Sequence, residues 1–320
     1  MNKLQARLTP IAAFVQAKVG DAFNLGNLVQ LFSKAEEINE MTPQLAEASD
    51  YAKYIPVAPT NSVIGGGEIL SRKRGIGEGK DHSGTGGDIP LAEVEYDTVN
   101  LKVVGATIGY TYSIFEIETA LAAGISLDGD KVQAARLAAE KHLSRIAWEG
   151  NAAKNLKGFY NQTGVDIVTA QADWATGTIE EVLGDFNTAL NGALTDSEFD
   201  ASITPDTFLL PSNKYTTLAT RVVPDSGGKT FLKYIEENNI LASQGKTLTI
   251  RGLGRGNGKG AGGTDRAVIY RRDPSCIQFK CDEVEFLAAQ PVGVDIKIPG
   301  HYKYQGVWLK RVDSFRYMDI

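Results

Sequence analysis

An α+β fold in more than one domain is predicted by three observations. Val132, Ala135, Ala139, Leu143 and Ile146 recur at three-and-four spacing and mark one long helix. Period-two alternation through Val99, Leu101 and Val103, then through Val104, Ala106, Ile108, Tyr110 and Tyr112, marks long strand. Between residues 170 and 284, short strand signals alternate with short helix signals. With 320 residues, 42% of them hydrophobic, the chain can bury a core and has room for two or more domains.

Residues 1–48 are expected to be mainly helical, an arm with Leu25, Leu28, Val29, Leu31 and Phe32 as its apolar patch and Asn24 as a candidate cap. Residues 62–90 carry nine of the 34 glycines and the cluster Arg72-Lys73-Arg74, with almost no large side chain to anchor them. Ordering each residue costs roughly 1–2 kcal/mol of backbone entropy, most for glycine, so this segment is expected to be mobile until another copy of the chain holds it. The Pro-punctuated lead-in at 54–59 and the strand at 91–114 are expected to be the arms of a large hairpin. Its apolar phase shifts by one residue at Gly105, which predicts a β-bulge there.

The long helix begins at Asp128 or Asp130 and ends at Gly150, and its flank of Ala134, Ala135, Ala138 and Ala139 is expected to lie across a sheet. A mixed unit follows. A helix is predicted over 178–194, with Thr178, Glu180 and Glu181 in its first turn and Val182, Leu183, Phe186, Ala189 and Leu190 on its apolar face. Residues 207–211 form a buried strand stopped by Pro211. Helices at 214–219 and 230–238 and strands at 247–251 and 267–271 complete the unit. Strands at 284–287, 294–298 and 307–312 are expected to rejoin the sheet under the long helix. No internal repeat is present.

Composition excludes several classes. A net charge of −6 is mild and mixed, unlike that of a protein built to grip nucleic acid or an anionic membrane. The basic pairs Arg271-Arg272 and Lys310-Arg311, like Arg72 to Arg74, are short and suit solvated faces or subunit contacts. No run of about 18 apolar residues occurs, and the N-terminal sequence does not match a signal peptide. The two cysteines, Cys276 and Cys281, lie roughly 16 Å apart if extended and on opposite faces of a strand, so they are expected to be free thiols, as in a reducing cytoplasm.

Catalytic motifs fail on inspection. Asp81-His82-Ser83 holds triad residue types, but sequence neighbours point apart. The glycine run 252–260 lacks both the first glycine and the Ser or Thr of a phosphate loop, and Gly228-Lys229-Thr230 has Val223 where that first glycine belongs. Gly256, Gly258 and Ala261 have loose dinucleotide spacing but lead into a strand, not a helix, so a flexible β-hairpin tip is the expected structure. His82, His142, His301 and the cysteines never reach metal-ligand spacing. No catalytic residue, cofactor or metal is expected.

The order of these features carries a resemblance. Trp148-Glu149-Gly150-Asn151, followed by Gly158-Phe159-Tyr160-Asn161 and Gly164-Val165, is similar to a passage of an encapsulin-related phage capsid family. Residues 207–211 with Tyr215, residues 231–235 with Asn238-Asn239, residues 270–274 and residues 289–293 continue it, so that the match runs from about residue 50 to the end. The chain thus resembles tailed-phage major capsid proteins with the Hong Kong 97 (HK-97) fold, which encapsulins share.

The resemblance implies an N-terminal arm (1–61), an extended loop (62–113), a peripheral domain with a spine helix (114–169 and 285–320) and an axial domain (170–284). It implies self-assembly into hexamers and pentamers of an icosahedral virion shell, formed in the host cytoplasm around double-stranded DNA. Arg72, Lys73, Arg74 and Lys80 would be loop contacts between subunits. Scaffold, portal and decoration proteins are the other implied partners, with DNA touched only weakly and no membrane involved. Some shells of this fold close a loop-lysine to asparagine isopeptide bond. Here Lys73 and Lys80 are available, but no asparagine follows Asn257, so non-covalent contacts are expected. An encapsulin-type nanocompartment and, more distantly, a nucleotide-dependent enzyme using 252–263 are the alternatives.

Overall fold

The computed structural model describes residues 49–64, 67–81, 89, 91–123 and 130–320. The expected arm at 1–48, the cap Asp128 and the His82-Ser83 pair lie outside them. In chain order the described strands are β1 Val57–Ala58, β2 Gly67–Ile76, β3 Glu93–Lys102, β4 Val104–Ser113, β5 Ile167–Thr169, β6 Thr207–Pro211, β7 Thr249–Leu253, β8 Arg266–Tyr270, β9 Ile277–Cys281, β10 Glu285–Phe286, β11 Gln290–Val292, β12 Asp295–Leu309 and β13 Phe315–Asp319. The chain divides into two compact units, one containing Val104–Arg145 and Cys281–Tyr304, the other 54–103, Ile146–Lys280 and Gln305–Ile320.

In the first unit, β4 runs antiparallel to β12 from Asp295↔Ser113 to Tyr304↔Val104. β10 and β11 pair on the other edge of β12. The predicted alternation is seen in β4, where Val104, Ala106, Ile108, Tyr110 and Tyr112 are covered and the residues between are mostly exposed. Tyr112, Ile117, Ile296 and Ile298 form a small core, with the Tyr110 and Phe286 rings edge to face at 5.4 Å. Phe286 lies so close over Gly300 that a Cβ there would stand 2.7 Å from the ring.

The long helix, Asp130–Glu149, buries Ala135, Leu137, Ala139 and Leu143. His142 Nδ1 lies 2.6 Å from the Tyr302 hydroxyl, placing the helix on β12 as predicted. Burial, aided by Arg145, holds the His142 imidazole below its ordinary value. Only half of the alanine flank faces inward: Ala134 and Ala138 are exposed, because each stands one 100° step off the buried stripe. The break in the alternating strand falls at Val103, which is buried, not at Gly105. It is a change of partner and not a bulge: β3 pairs with β2, and β4 pairs with β12.

The second unit contains a sheet in the order β5-β13-β8-β6-β7, with β13 and β6 antiparallel to β8. The helix Ile179–Asp196 starts at a capping box: Thr178 accepts from the Glu181 backbone N–H, and Glu181 Oε2 accepts from the Thr178 N–H at 2.8 Å. Its face of Val182, Phe186, Ala189 and Leu190 packs with Phe208, Ile250, Ile269 and Met318. Each large side chain buried there contributes about 1.5–3 kcal/mol. Asp185 turns inward and accepts from the N–H groups of Gln171 and Ala172 and from Trp174 Nε1, which fixes the Trp174 ring on Phe186 at 4.9 Å. Thr230, of the rejected Gly-Lys-Thr motif, caps the helix Phe231–Asn238, and Lys229 pairs with Glu237.

Three expectations need correction. The strands at 294–298 and 307–312 are one strand, β12. A strand the sequence reading missed, β13, closes the second sheet between β5 and β8. Residues 252–263 are not a flexible hairpin tip, since β7 and β8 flank β6 and do not pair. The glycines form a crossover of two short turns, pinned by Ala261 N–H to Asp319 Oδ2 at 3.0 Å and Gly258 N–H to Asp265 Oδ1 at 2.9 Å. Glycine spacing signals that a chain turns, not which strand it meets next.

The end of the long helix explains the Gly150 and Gly158 passages. Gly150 has φ 77°, the left-handed stop that favours glycine. Asn161 closes the turn, accepting from Gly158 N–H at 2.7 Å and donating to Glu149 O at 2.8 Å. Around it Trp148, Phe159, Tyr160, Tyr270, Phe315 and Tyr317 form an aromatic cluster. Beside the cluster Arg266 Nε and Nη2 grip Asp319 at 2.6 and 2.9 Å, and Arg266 Nη1 donates to Tyr160 O.

Burial alone would raise the Asp319 carboxyl, but the Arg266 and Ala261 hydrogen bonds outweigh it and hold the group below its ordinary value. A depressed carboxyl stabilises above its unfolded pKa, near 3.9, and that contribution is lost as pH falls through the folded value. Asp319→Asn is therefore expected to lower stability at pH 7 by roughly 3–5 kcal/mol, by stranding Arg266, and to flatten the loss below pH 4. Thermal melts at both pH values check this; a variant melting like the parent at pH 7 would refute it.

Both cysteines are buried and unbridged, as expected. Burial pushes the Cys281 thiol up to about 12.

Candidate assembly surface

The site is a two-stranded ribbon. β2 and β3 pair antiparallel over their whole length, from Gly67↔Lys102 to Ile76↔Glu93. Ten residues of the segment expected to be mobile are thus in a paired ladder, and the first hairpin arm is 67–76, not 54–59. The lead-in goes elsewhere: β1 lies parallel to β9, with Val57↔Phe279 and Ala58↔Lys280 in register. A glycine-rich stretch with only two strand-like side chains at its start hides such a strand, because its own sequence shows little apolar alternation.

Register separates the basic cluster. Arg72 stands opposite Asp97, Lys73 opposite Tyr96 and Arg74 opposite Glu95. Strand alternation puts positions 72 and 74 on one face of the ladder and position 73 on the other. Lys80 lies beyond the ladder and is exposed.

The ribbon carries apolar residues where water should reach them. Among the described residues, nine of sixteen exposed large hydrophobics fall between Val57 and Tyr96. On one ladder face Ile69 is 70%, Val94 46% and Tyr96 62% exposed, and Ile89 and Leu91 stand out near the tip. Concentrated exposed apolar surface marks an interaction site.

The root of the ribbon is polar. Glu68 on β2 accepts from Lys280 Nζ through Oε2 and from Asn61 N–H through Oε1 at 2.9 Å. Lys280 Nζ sits 3.9 Å from the Trp308 ring centroid. None of these four was singled out from sequence as a site residue, since an isolated Glu and Lys 212 positions apart give no local signal.

Among the described residues no group of three or more His, Cys, Asp or Glu could hold a metal, and no helix is long and apolar enough to cross a membrane.

Comparison with solved structures finds the same fold. The capsid of Myoviridae phage XM1 matches with TM-score 0.66 at 12% identity, covering 94% of this chain and 99% of that one. The capsid of an empty GTA particle matches with TM-score 0.55 at 10% identity, over 94% and 95% of the two chains. A Mycobacterium phage Bobi chain gives TM-score 0.52 at 11% identity, over 96% and 97%. Among curated proteins nothing matches. Residues 78–320 match the family model for the major capsid protein, and with the α+β shell fold of Hong Kong 97 type already in place, the chain belongs to the major capsid protein family.

Proposed function

We propose that copies of this chain meet through the ribbon and close into an icosahedral shell of hexamers and pentamers around the double-stranded DNA of a tailed bacteriophage. The observation that supports this best is the exposed apolar face of β2 and β3, which the isolated subunit leaves in water. Repeated across a symmetric shell, many modest contacts add up without any one being strong. In this reading residues 1–61 are the arm, 62–113 the extended loop, 114–169 with 285–320 the peripheral domain and 170–284 the axial domain. Arg72, Lys73, Arg74 and Lys80 make contacts to neighbouring copies.

Assembly in the host cytoplasm, with scaffold, portal and decoration proteins, completes the proposal. A net charge of −6 leaves packaged DNA only weakly held. The chain acts as structure and not as a catalyst, so nucleotides are expected to leave its melting temperature unchanged. Electron microscopy of the purified protein, alone or with its scaffold, is expected to show capsomers or closed particles; a persistent monomer under every condition would overturn the reading.

The shell is proposed to be non-covalent. Asp319 is engaged by Arg266 and Asp313 by Arg311 at 2.9 Å, so these two C-terminal aspartates are unsuited to accept a lysine amine. Particles boiled in detergent should run as one monomer band, and a ladder of linked subunits would contradict this.

A further inference from the structure

The basic pair Lys310-Arg311 follows β12, and its two members are held differently. Arg311 is paired with Asp313. Lys310 has no carboxylate within ion-pair reach among the described residues, and its Nζ donates to the carbonyl of Pro274 at 2.9 Å. Two positions earlier, the Trp308 ring carries Lys280, which is paired with Glu68. Asp273, the next carboxylate, is turned to Ser275, accepting from its N–H at 2.8 Å and its hydroxyl at 2.6 Å. The cluster thus holds two ammonium groups, with both carboxylates already engaged elsewhere. The Lys280 and Glu68 side chains are 12% and 16% exposed, so salt screens these charges little. Burial and the neighbouring Lys280 hold the Lys310 ammonium below its ordinary value, with Cys276 and Asp273 pulling the other way.

We propose that Lys310 is a modification site whose amine accepts an acyl group from a thioester. The site belongs to the folded subunit and does not require assembly. A lysine is nucleophilic only as the free amine, and a second cation beside it favours that form. The bond from Lys310 to Pro274 lies at the surface, within reach of a small acyl donor. The neutral amine adds to the thioester carbonyl carbon; a C–N bond forms, the C–S bond breaks, and the thiolate leaves with the proton that the amine gives up. Amide and thiol are the products. Acylation removes the unbalanced charge and leaves Lys280 with Glu68 as one matched pair.

The test incubates the full chain with acetyl-coenzyme A at neutral pH and follows the initial rate at each lysine by peptide mass spectrometry. Each pH unit by which an ammonium is lowered gives roughly tenfold more free amine near neutrality, so Lys310 is expected to react about threefold or more faster than the exposed Lys154 and Lys157. Its rate should also reach half its maximum at a lower pH than theirs. A smaller ratio in the parent would overturn the site. Lys280→Met removes the neighbouring cation and should slow Lys310 by about threefold or more; a smaller slowing would overturn the site as well. Should that variant fail to fold, Glu68→Gln reads the same coupling with the opposite sign, since it leaves both ammonium groups without their carboxylate. Lys310 should then react faster than in the parent, and an unchanged or slower rate would overturn the site equally.

Discussion

Replacing Ile69, Val94 and Tyr96 together by threonine is expected to abolish shells while leaving the melting temperature of the subunit within about 2 °C of the parent. The three positions share one face of the ribbon and are largely exposed in the isolated chain, so their loss removes little internal packing; surface changes of this kind stay within about 0.5 kcal/mol each. Threonine is β-branched and keeps the ladder. At a contact between copies the balance differs. Burying an Ile, Val or Tyr there contributes about 1.5–3 kcal/mol, of which threonine keeps a part. A loss of roughly 4 kcal/mol per contact raises the concentration needed for association about a thousandfold. Sedimentation at the parent's assembly concentration would show capsomers or smaller; shells forming there unchanged would mean that this face is not the contact.

Gly158→Ala should act in the opposite way, destabilising the subunit itself. A Cβ at Gly158 would stand 2.4 Å from Gly150 N, 2.6 Å from Glu149 C and 2.7 Å from Glu149 N. All three are backbone atoms at the end of the long helix, so no side chain can swing away. Relief requires the Asn161 bonds to Glu149 and Gly158 to open, and with them the seat of Trp148 and Phe159. Overpacking costs 1–3 kcal/mol where neighbours can shift, and here the upper end is expected, roughly 3 kcal/mol. A fall of about 5 °C in melting temperature would match. A fall below about 2 °C would show that the helix end relaxes more easily than its geometry implies.

Local rules carried the sequence reading where structure is local. Thr178 and Glu181 announce their helix because a capping box is complete within four residues, and Pro211 ends its strand by lacking a donor. The alternation from Val104 to Tyr112 shows because one face of β4 is covered along its length. What stayed hidden depends on pairing partners outside the element itself. β2 is legible only beside β3, and β13 only between β5 and β8. The crossover after Leu253 looks like a hairpin tip until β6 is known to intervene. For the site, the sequence reading singled out the charged residues Arg72, Lys73, Arg74 and Lys80. The apolar residues of the ribbon and the Glu68–Lys280 pair emerge only once register and burial are known.

The two buried thiols have a practical corollary. Cys276 is 0% and Cys281 8% exposed, the Cys281 thiol is pushed up to about 12, and the chain has no other cysteine. A thiol reacts as its thiolate, so the native protein presents almost no nucleophilic sulfur to a maleimide dye. The chain is already a blank background for labelling: a Lys80→Cys variant would carry one reactive handle, on the loop just past the ladder, without any native residue having to be silenced first.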